Sequence, residues 1–158
     1  MKVTLSELNQ NPLNVRATND VWRGQCGQRK GFVCFVDDVY GYRCAMKILL
    51  GYLGQGIDTP RRIINTWAPE TENDVESYIK AVCNPMESTL MPDDPIMSRR
   101  QFRELVYMMT KVERGKFGDF EKINAAWCML KEKDLSKTQK AGKIFLEDSE
   151  FDNYMSRI

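Results

Sequence analysis

The sequence predicts a mainly helical protein with a small β element. Two segments, residues 39–53 and 98–115, carry apolar residues at the i, i+3, i+4 and i+7 spacing of one buried helix face. A third stretch, residues 31–36 (GFVCFV), is rich in β-branched and aromatic residues and follows a basic turn. It predicts a strand or one arm of a hairpin.

The N-terminal part is predicted to be a short helical turn followed by a loop. Thr4 or Ser6 can begin the helical turn. Asn11 precedes Pro12, and a residue before proline is pushed out of the helical region, so a turn is expected there. We expect the side chain of Asn14 to close that turn.

Capping residues and apolar spacing predict the later helices in order. Asp37 and Asp38 precede the first long helix, and Gly54 follows it. Ser98 with Gln101 resembles a capping box at the start of the second. The remaining helices are expected to begin at Thr59-Pro60, at 72–74 and at 119, with a last short helix over 144–158.

Charge and hydropathy exclude several partners. The chain has 23 basic and 22 acidic residues, a net charge of +1, so no global field draws it to nucleic acid. No apolar run is long enough for membrane insertion, and the N-terminus lacks the apolar core of a signal peptide. Localisation is therefore left open between action where the chain is made, association with a virion, and delivery to the periplasm or cell wall.

The absence of histidine narrows the chemistry. Without histidine and without a C-x-x-C pair among the five cysteines, we predict no metal and no cofactor, and histidine-dependent hydrolases are excluded. The odd number of cysteines argues against a fully paired disulfide framework, so free thiols are expected. Carboxylates, tyrosines, amides and the backbone remain as candidate functional groups.

Glu113 is the candidate catalytic residue. It falls in the last turn of the helix predicted over 98–115, before Gly115. The negative end of the helix dipole disfavours a carboxylate there and favours its protonated form, which a general acid requires. The alternative is that Glu113, between Lys111 and Arg114, belongs to a solvated charged helix end.

Several short motifs together resemble a family of phage and prophage proteins often described as virion or structural proteins. The resemblance covers about residues 9–115 and differs from the family pattern at Leu13, Val112 and Arg114, where glycine, histidine and asparagine are usual. The motifs, in order, are NPLNVR, WRGQCG, GFVCF, DDVYGYRCAMKILLGYL, GIDTPRRIINTWAP, ENDVESYI and KVERG.

A second, more remote resemblance is to lysozyme-like lytic transglycosylases and goose-type lysozymes. Glu113 is similar to the glutamate that ends a helix in those enzymes, and residues 72–79, with Tyr78, are similar to a later helix. The order is rotated in this chain. The resemblance therefore implies a lysozyme-like fold that is circularly permuted or otherwise rearranged.

This resemblance implies cleavage of the peptidoglycan glycan strand, by a lytic transglycosylase or muramidase-like reaction. Glu113 would be the general acid, sufficient as the one catalytic glutamate, and Tyr78 would assist near the reacting centre. In an alternative with a second carboxylate, Glu72 or Asp74 would supply it. Amides, a guanidinium group and aromatic rings would bind the sugar. The residues in this set are Asn11, Asn14, Arg16, Trp22, Gln25, Trp67 and Asn73.

Structural explanations compete with each of these roles. Asn11, Asn14 and Arg16 can stabilise a loop, and a tryptophan among polar and glycine residues, such as Trp22, is more often a core plug. We expect residues 1–115 to form the domain core and 116–158 a helical extension packed on it. The alternative functions are a catalytically inactive virion or cell-wall-binding protein, and an adaptor. The expected partners are peptidoglycan or another glycan, and virion or mobile-element proteins.

Overall fold

The structure is a computed structural model that describes residues 2–68 and 74–137, together with 153, 156 and 157. It confirms a mainly helical fold with one small antiparallel sheet. The elements are α1 (Leu5–Leu8), β1 (Gln25–Arg29), β2 (Phe32–Phe35), α2 (Asp38–Gly54), α3 (Pro60–Trp67), α4 (Val75–Val82), α5 (Arg99–Arg114), α6 (Phe120–Cys128) and α7 (Glu132–Leu135).

Short-range capping places the helix starts, as the sequence predicts. Thr4 and Glu7 form a capping box at α1, and Thr59 caps α3 through a 3.2 Å hydrogen bond from the Arg62 amide. Asp119 caps α6 in the same way. Such bonds satisfy amide groups that the first helical turn leaves unpaired.

Two predicted starts differ in detail. At α5 the Gln101 amide donates to the Ser98 hydroxyl (3.0 Å), but the Gln101 side chain accepts from the Met97 amide (2.7 Å), one residue earlier than in a capping box. At α4 the cap is Asp74, so the described helix begins later than residue 72. The predicted helix over 144–158 lies outside the described residues, apart from 153, 156 and 157.

The sheet is a hairpin of β1 and β2 joined by a two-residue turn. Lys30 and Gly31 both have positive φ, +53° and +84°, as a type I′ turn requires. A third segment lies on the other side of β2, where Arg16 forms an isolated antiparallel bridge to Phe32. The pairs in the hairpin are Gln25 with Phe35, Gly27 with Cys34, Gln28 with Val33, and Arg29 with Phe32.

The chain divides into two compact units that are interleaved in sequence. The first comprises residues 1–48 and 106–131, and the second comprises 49–105 and 132–158. Helices α2 and α5 each contribute residues to both. The sequence predicts a domain core over 1–115 and an extension over 116–158. The first unit includes residues on both sides of 115, and the division at 115/116 stays a prediction.

The apolar residues predicted to be buried are buried. In the first unit, Tyr42 and Met46 of α2 and Met109 of α5 are inaccessible to solvent. In the second unit, Leu49 of α2 and Phe102 of α5 are equally inaccessible. The two helical stripes read from the sequence are therefore core stripes.

All five cysteines are free, as expected from their odd number. Cys34, Cys44 and Cys83 are buried, whereas Cys26 and Cys128 are exposed. Burial raises the pKa of the Cys44 thiol to about 12 and that of Cys83 to about 11, so both stay protonated at neutral pH. Within the described part of the chain, no helix combines the length and the hydropathy of a membrane span.

Candidate functional site at the end of α5

Helix α5 ends in the first unit, where the sequence predicts it to end. Gly115 has a φ of +79°, and its amide donates to the Lys111 carbonyl at 2.9 Å. A left-handed residue after the last turn is the common helix stop, and glycine adopts it without steric cost. The last two helical residues, Glu113 and Arg114, and their partners Asn14, Asp38 and Ser6 are called the α5 terminus below.

Asn14 connects the N-terminal loop to Glu113. Its side-chain Nδ2 donates to the Glu113 carbonyl oxygen and to Glu113 Oε1, each at 3.1 Å. Asn14 has a φ of +53°, a conformation that asparagine tolerates better than most residues. One amide thus satisfies a carbonyl that the helix end leaves without an intrahelical partner and also holds the carboxylate.

Arg114 forms a buried, bidentate ion pair with Asp38. Its two terminal nitrogens donate to the two carboxylate oxygens at 2.8 Å each, and the side chains are only 12% and 13% exposed. The guanidinium also donates to the hydroxyl and the carbonyl oxygen of Ser6. Burial lowers the pKa of Arg114, but the hydrogen bonds and charge of Asp38 outweigh it, so this pKa lies above its ordinary value.

The ion pair corrects part of the sequence interpretation. Arg114 is not a solvated member of a charged helix end, because it joins α5 to α1 and to the start of α2. Glu113 is only partly exposed. The two neighbours therefore differ: Arg114 is enclosed by partners, whereas Glu113 retains contact with solvent.

Asn11, rather than Asn14, closes the turn at 11–15, so that expectation was wrong. Asn11 is fully buried; its Oδ1 accepts from the Val15 amide at 2.9 Å, and its Nδ2 donates to the carbonyls of Val15 and Val33, each at 3.0 Å. The side chain thus joins the turn to β2. Sugar binding by Asn11 stays a prediction, and it would require breaking these bonds.

The other predicted sugar-binding residues of the first unit lie on the hairpin and its flanks. The Arg16 guanidinium is 5.1 Å from the centre of the Phe32 ring. Gln25 Oε1 accepts from the Trp22 amide at 3.0 Å, and the Gln25 amide donates to the Trp22 carbonyl, so the two residues form a turn. Trp22 is partly exposed. Binding of sugar by these three residues stays a prediction.

Three further candidates belong to residues 49–105. Tyr78 is 3% exposed and lies in the core of the second unit. Trp67 is partly exposed, with its ring edge-to-face with Tyr52 at 6.3 Å between centroids. Asn73, like Glu72, lies outside the described residues. The catalytic role of Tyr78 stays a prediction.

Of the two candidates for a second carboxylate, only Asp74 is among the described residues, and it caps helix α4. Its carboxylate accepts from the Ser77 hydroxyl at 2.8 Å and from the Ser77 amide at 3.1 Å. These bonds lower the pKa of Asp74, so it is ionised at neutral pH. Among the described residues, no group of three cysteine or acidic side chains is placed to hold a metal ion.

Fold and site together define a small, mainly helical protein in which the polar residues around the end of α5 are largely bonded to one another. No protein-family model matches the chain. Over 113 residues the chain is 32% identical to Protein P5 of Pseudoalteromonas phage PM2, an alignment that covers 68% of this chain and 69% of that protein. The chain therefore belongs to the family of this phage protein.

Proposed function

We propose that the chain is a structural component of a phage particle and is not an enzyme. The observation that carries the proposal is the relationship to Protein P5 of phage PM2 over two thirds of both chains. The motifs from NPLNVR to KVERG support it, because their order resembles that of phage virion proteins. The lysozyme-like, permuted fold and the peptidoglycan substrate stay predictions.

The α5 terminus supports the same proposal. Asn14 and Arg114 use their donors to connect segments far apart in sequence, 99 residues apart for Asn14 and Glu113 and 76 for Arg114 and Asp38. Oε1 of Glu113 accepts one of these hydrogen bonds, so this side chain helps to join the N-terminal loop to α5. The arrangement suits stabilisation of the fold.

Particle composition tests the proposal. Particles from a producing host would be purified on a density gradient, and the copy number of this chain measured by quantitative mass spectrometry. We expect a fixed copy number that follows the major capsid protein through the gradient. Presence of the chain in the lysate together with its absence from purified particles would contradict the proposal.

Two variants sharpen this test. Glu113→Gln keeps an oxygen that can accept from Asn14, so we expect it to enter particles at the wild-type level. Arg114→Ala leaves Asp38 buried without its partner, so we expect it to be depleted from particles. Equal incorporation of both variants would show that the α5 terminus does not support the assembled form.

Glycan cleavage is the second candidate, and one observation favours it. Glu113 is partly exposed at the end of a helix and has an amide donor 3.1 Å from its carboxylate, as a group that handles a substrate hydroxyl or oxygen requires. Clearing of purified peptidoglycan by wild type, but not by Glu113→Gln, would support it. Sedimentation with insoluble walls without clearing would support the inactive wall-binding alternative instead.

A further inference from the structure

Cross-strand pairing gathers three cations at the tip of the hairpin. Arg29 of β1 pairs with Phe32 of β2, and Phe32 pairs on its other side with Arg16. Directly paired residues of an antiparallel sheet project to the same face, so these three side chains form a row, the Arg–Phe–Arg row. Lys30 follows Arg29 in the turn. At about 4.8 Å between strands, the two arginine backbones are about 10 Å apart.

This tip is exposed and locally basic. Residues 16–31 contain four basic residues and one acidic residue, a net charge of +3 in a chain whose total is +1. Arg29 donates to the neutral oxygens of Asn9 and Leu8, which leave its charge uncompensated. Within residues 2–68 and 74–137, neither Arg29 nor Lys30 forms an ion pair with a carboxylate.

Three acidic side chains of the same unit pair with cations outside the hairpin. Asp38 pairs with Arg114, Glu7 with Lys116, and Asp37 with Lys122. These three pairs lie between the N-terminal segment and the segment after α5. The positive potential of the hairpin is therefore not neutralised by the carboxylates of those pairs.

Lys30 occupies its position against the preference of the turn. Type I′ turns favour asparagine, aspartate or glycine at the first central position because φ is positive there. A lysine with φ of +53° is strained by the order of 1 kcal/mol. An observed strain of this kind points to a use for the side chain outside the fold, and the ammonium group is what the side chain adds.

We propose that the hairpin tip binds the phosphate backbone of duplex DNA through Arg16, Arg29 and Lys30. Phosphates on duplex DNA supply one negative charge per roughly 1.7 Å of axis, which matches a compact group of three cations. Arginine and lysine are the side chains that neutralise such phosphates. The contact is independent of base sequence.

The Arg–Phe–Arg row favours a duplex over a single strand. Binding of single-stranded nucleic acid relies on aromatic rings on which bases stack. The Phe32 ring is only partly exposed and has the Arg16 guanidinium 5.1 Å from its centre. Its exposed face is therefore occupied, and the hairpin offers cations rather than a stacking surface.

The proposal departs from the expectation that the chain has no nucleic-acid partner. That expectation rests on the net charge of the whole chain. Arg16 and Arg29 are thirteen positions apart in the sequence, and only the β2 strand between them brings them together.

Fluorescence anisotropy with a short labelled DNA duplex tests the proposal. With three phosphate contacts and a salt slope of about −0.9 per contact, affinity should fall about 40-fold between 50 and 200 mM salt. The double variant Arg16→Gln/Lys30→Asn retains one contact, so its affinity should fall only about 3.5-fold over that range. The variant should also bind more weakly than wild type at 50 mM salt.

The matched control is Lys2→Gln/Lys80→Gln, which removes two exposed lysines that are not part of the hairpin and gives the same net charge. We expect it to keep the wild-type affinity and salt slope. Circular dichroism would verify that both double variants are folded. An unchanged salt slope in Arg16→Gln/Lys30→Asn, or an equal loss in the control, would overturn the assignment to the hairpin.

Two further ligands test the choice of duplex DNA. Labelled single-stranded DNA and phosphatidylglycerol vesicles carry the same phosphate charge without the duplex geometry. We expect both to bind at least tenfold more weakly than the duplex at 50 mM salt. Equal or tighter binding of either ligand would overturn the duplex assignment in favour of a general anionic surface.

Discussion

The α5 terminus and the hairpin tip lie in the same unit, and both are rich in polar side chains. At the α5 terminus, those side chains bond to one another: Arg114 to Asp38 and Ser6, and Asn14 to Glu113. At the hairpin tip, Arg16, Arg29 and Lys30 are exposed to solvent. The residue types are similar, but the side chains of the α5 terminus bond to one another, whereas those of the hairpin tip are exposed to solvent.

This difference bears on how a candidate site is recognised. A glutamate beside amides and an arginine suggests chemistry when only the sequence is known. Once the partners are placed, most of these groups are accounted for by the fold, and buried polar groups normally are. Among the described residues, no carboxylate pairs with Arg29 or Lys30, and the hairpin tip is therefore the better candidate for contact with a partner.

The largest expected effect concerns Arg114. Arg114→Ala leaves the Asp38 carboxylate buried without a counter-charge, so the free energy of unfolding should fall by about 3–5 kcal/mol. Urea unfolding followed by circular dichroism measures it. Lys116→Ala, which removes an exposed partner of Glu7, should have a much smaller effect. Similar losses in the two variants would contradict the structural role of the α5 terminus.

The next effect concerns Asn11. Asn11→Ala removes the partners of the Val15 amide and of two carbonyls in a buried turn, and should lower the free energy of unfolding by about 3 kcal/mol. Asn65→Ala is the control, because Asn65 is exposed and donates only to the Arg61 carbonyl. A stability loss no larger than that of the control would show that water replaces Asn11 at low cost.

At the hairpin tip the expected effect has the opposite sign. Lys30→Asn keeps the positive φ that the turn needs and replaces a residue that disfavours it, so the free energy of unfolding should rise by about 0.5 kcal/mol. Thermal unfolding measures the change, with Lys2→Asn as the control in an exposed segment. A loss of stability would mean that Lys30 contributes to the fold, which would weaken the contrast between the two regions.

The smallest effect is a pH dependence. Hydrogen bonds from the Thr4 amide and from Lys116 lower the pKa of Glu7 from 4.5 to about 2. Because the folded-state pKa is the lower one, the stabilisation is complete above pH 4.5 and is lost as the pH falls toward 2. Thermal unfolding across this range should show a smaller decline for Glu7→Gln than for wild type. Identical declines would assign the acid sensitivity to other carboxylates.

The sequence predicted what depends on neighbouring residues. Thr59, and Thr4 as one of two alternatives with Ser6, are predictable helix starts because a capping side chain acts within three positions of its partner. The helical stripes were predicted for the same reason, since their period is set by the helix itself. The stop at Gly115 follows from the conformational freedom of glycine.

What the sequence did not predict depends on pairing between distant segments. Asn11 and Asn14 are equally suited to close a turn, and only β2 and α5 decide which one does so. The Arg114 to Asp38 pair spans 76 positions. In the sequence, Arg16 and Arg29 are two separate arginines. That both pair with Phe32 depends on the strand register, which the sequence alone does not give.

The affinity of two variants for duplex DNA, measured at equal folded fraction, tests the central contrast most directly. Asn14→Gly keeps the left-handed turn but removes the amide that holds Glu113, and Lys30→Asn removes a cation from the hairpin tip. We expect Asn14→Gly to be about 1 kcal/mol less stable and to bind DNA like wild type, and Lys30→Asn to be no less stable and to bind more weakly. Weakened binding by Asn14→Gly together with wild-type binding by Lys30→Asn would contradict the account.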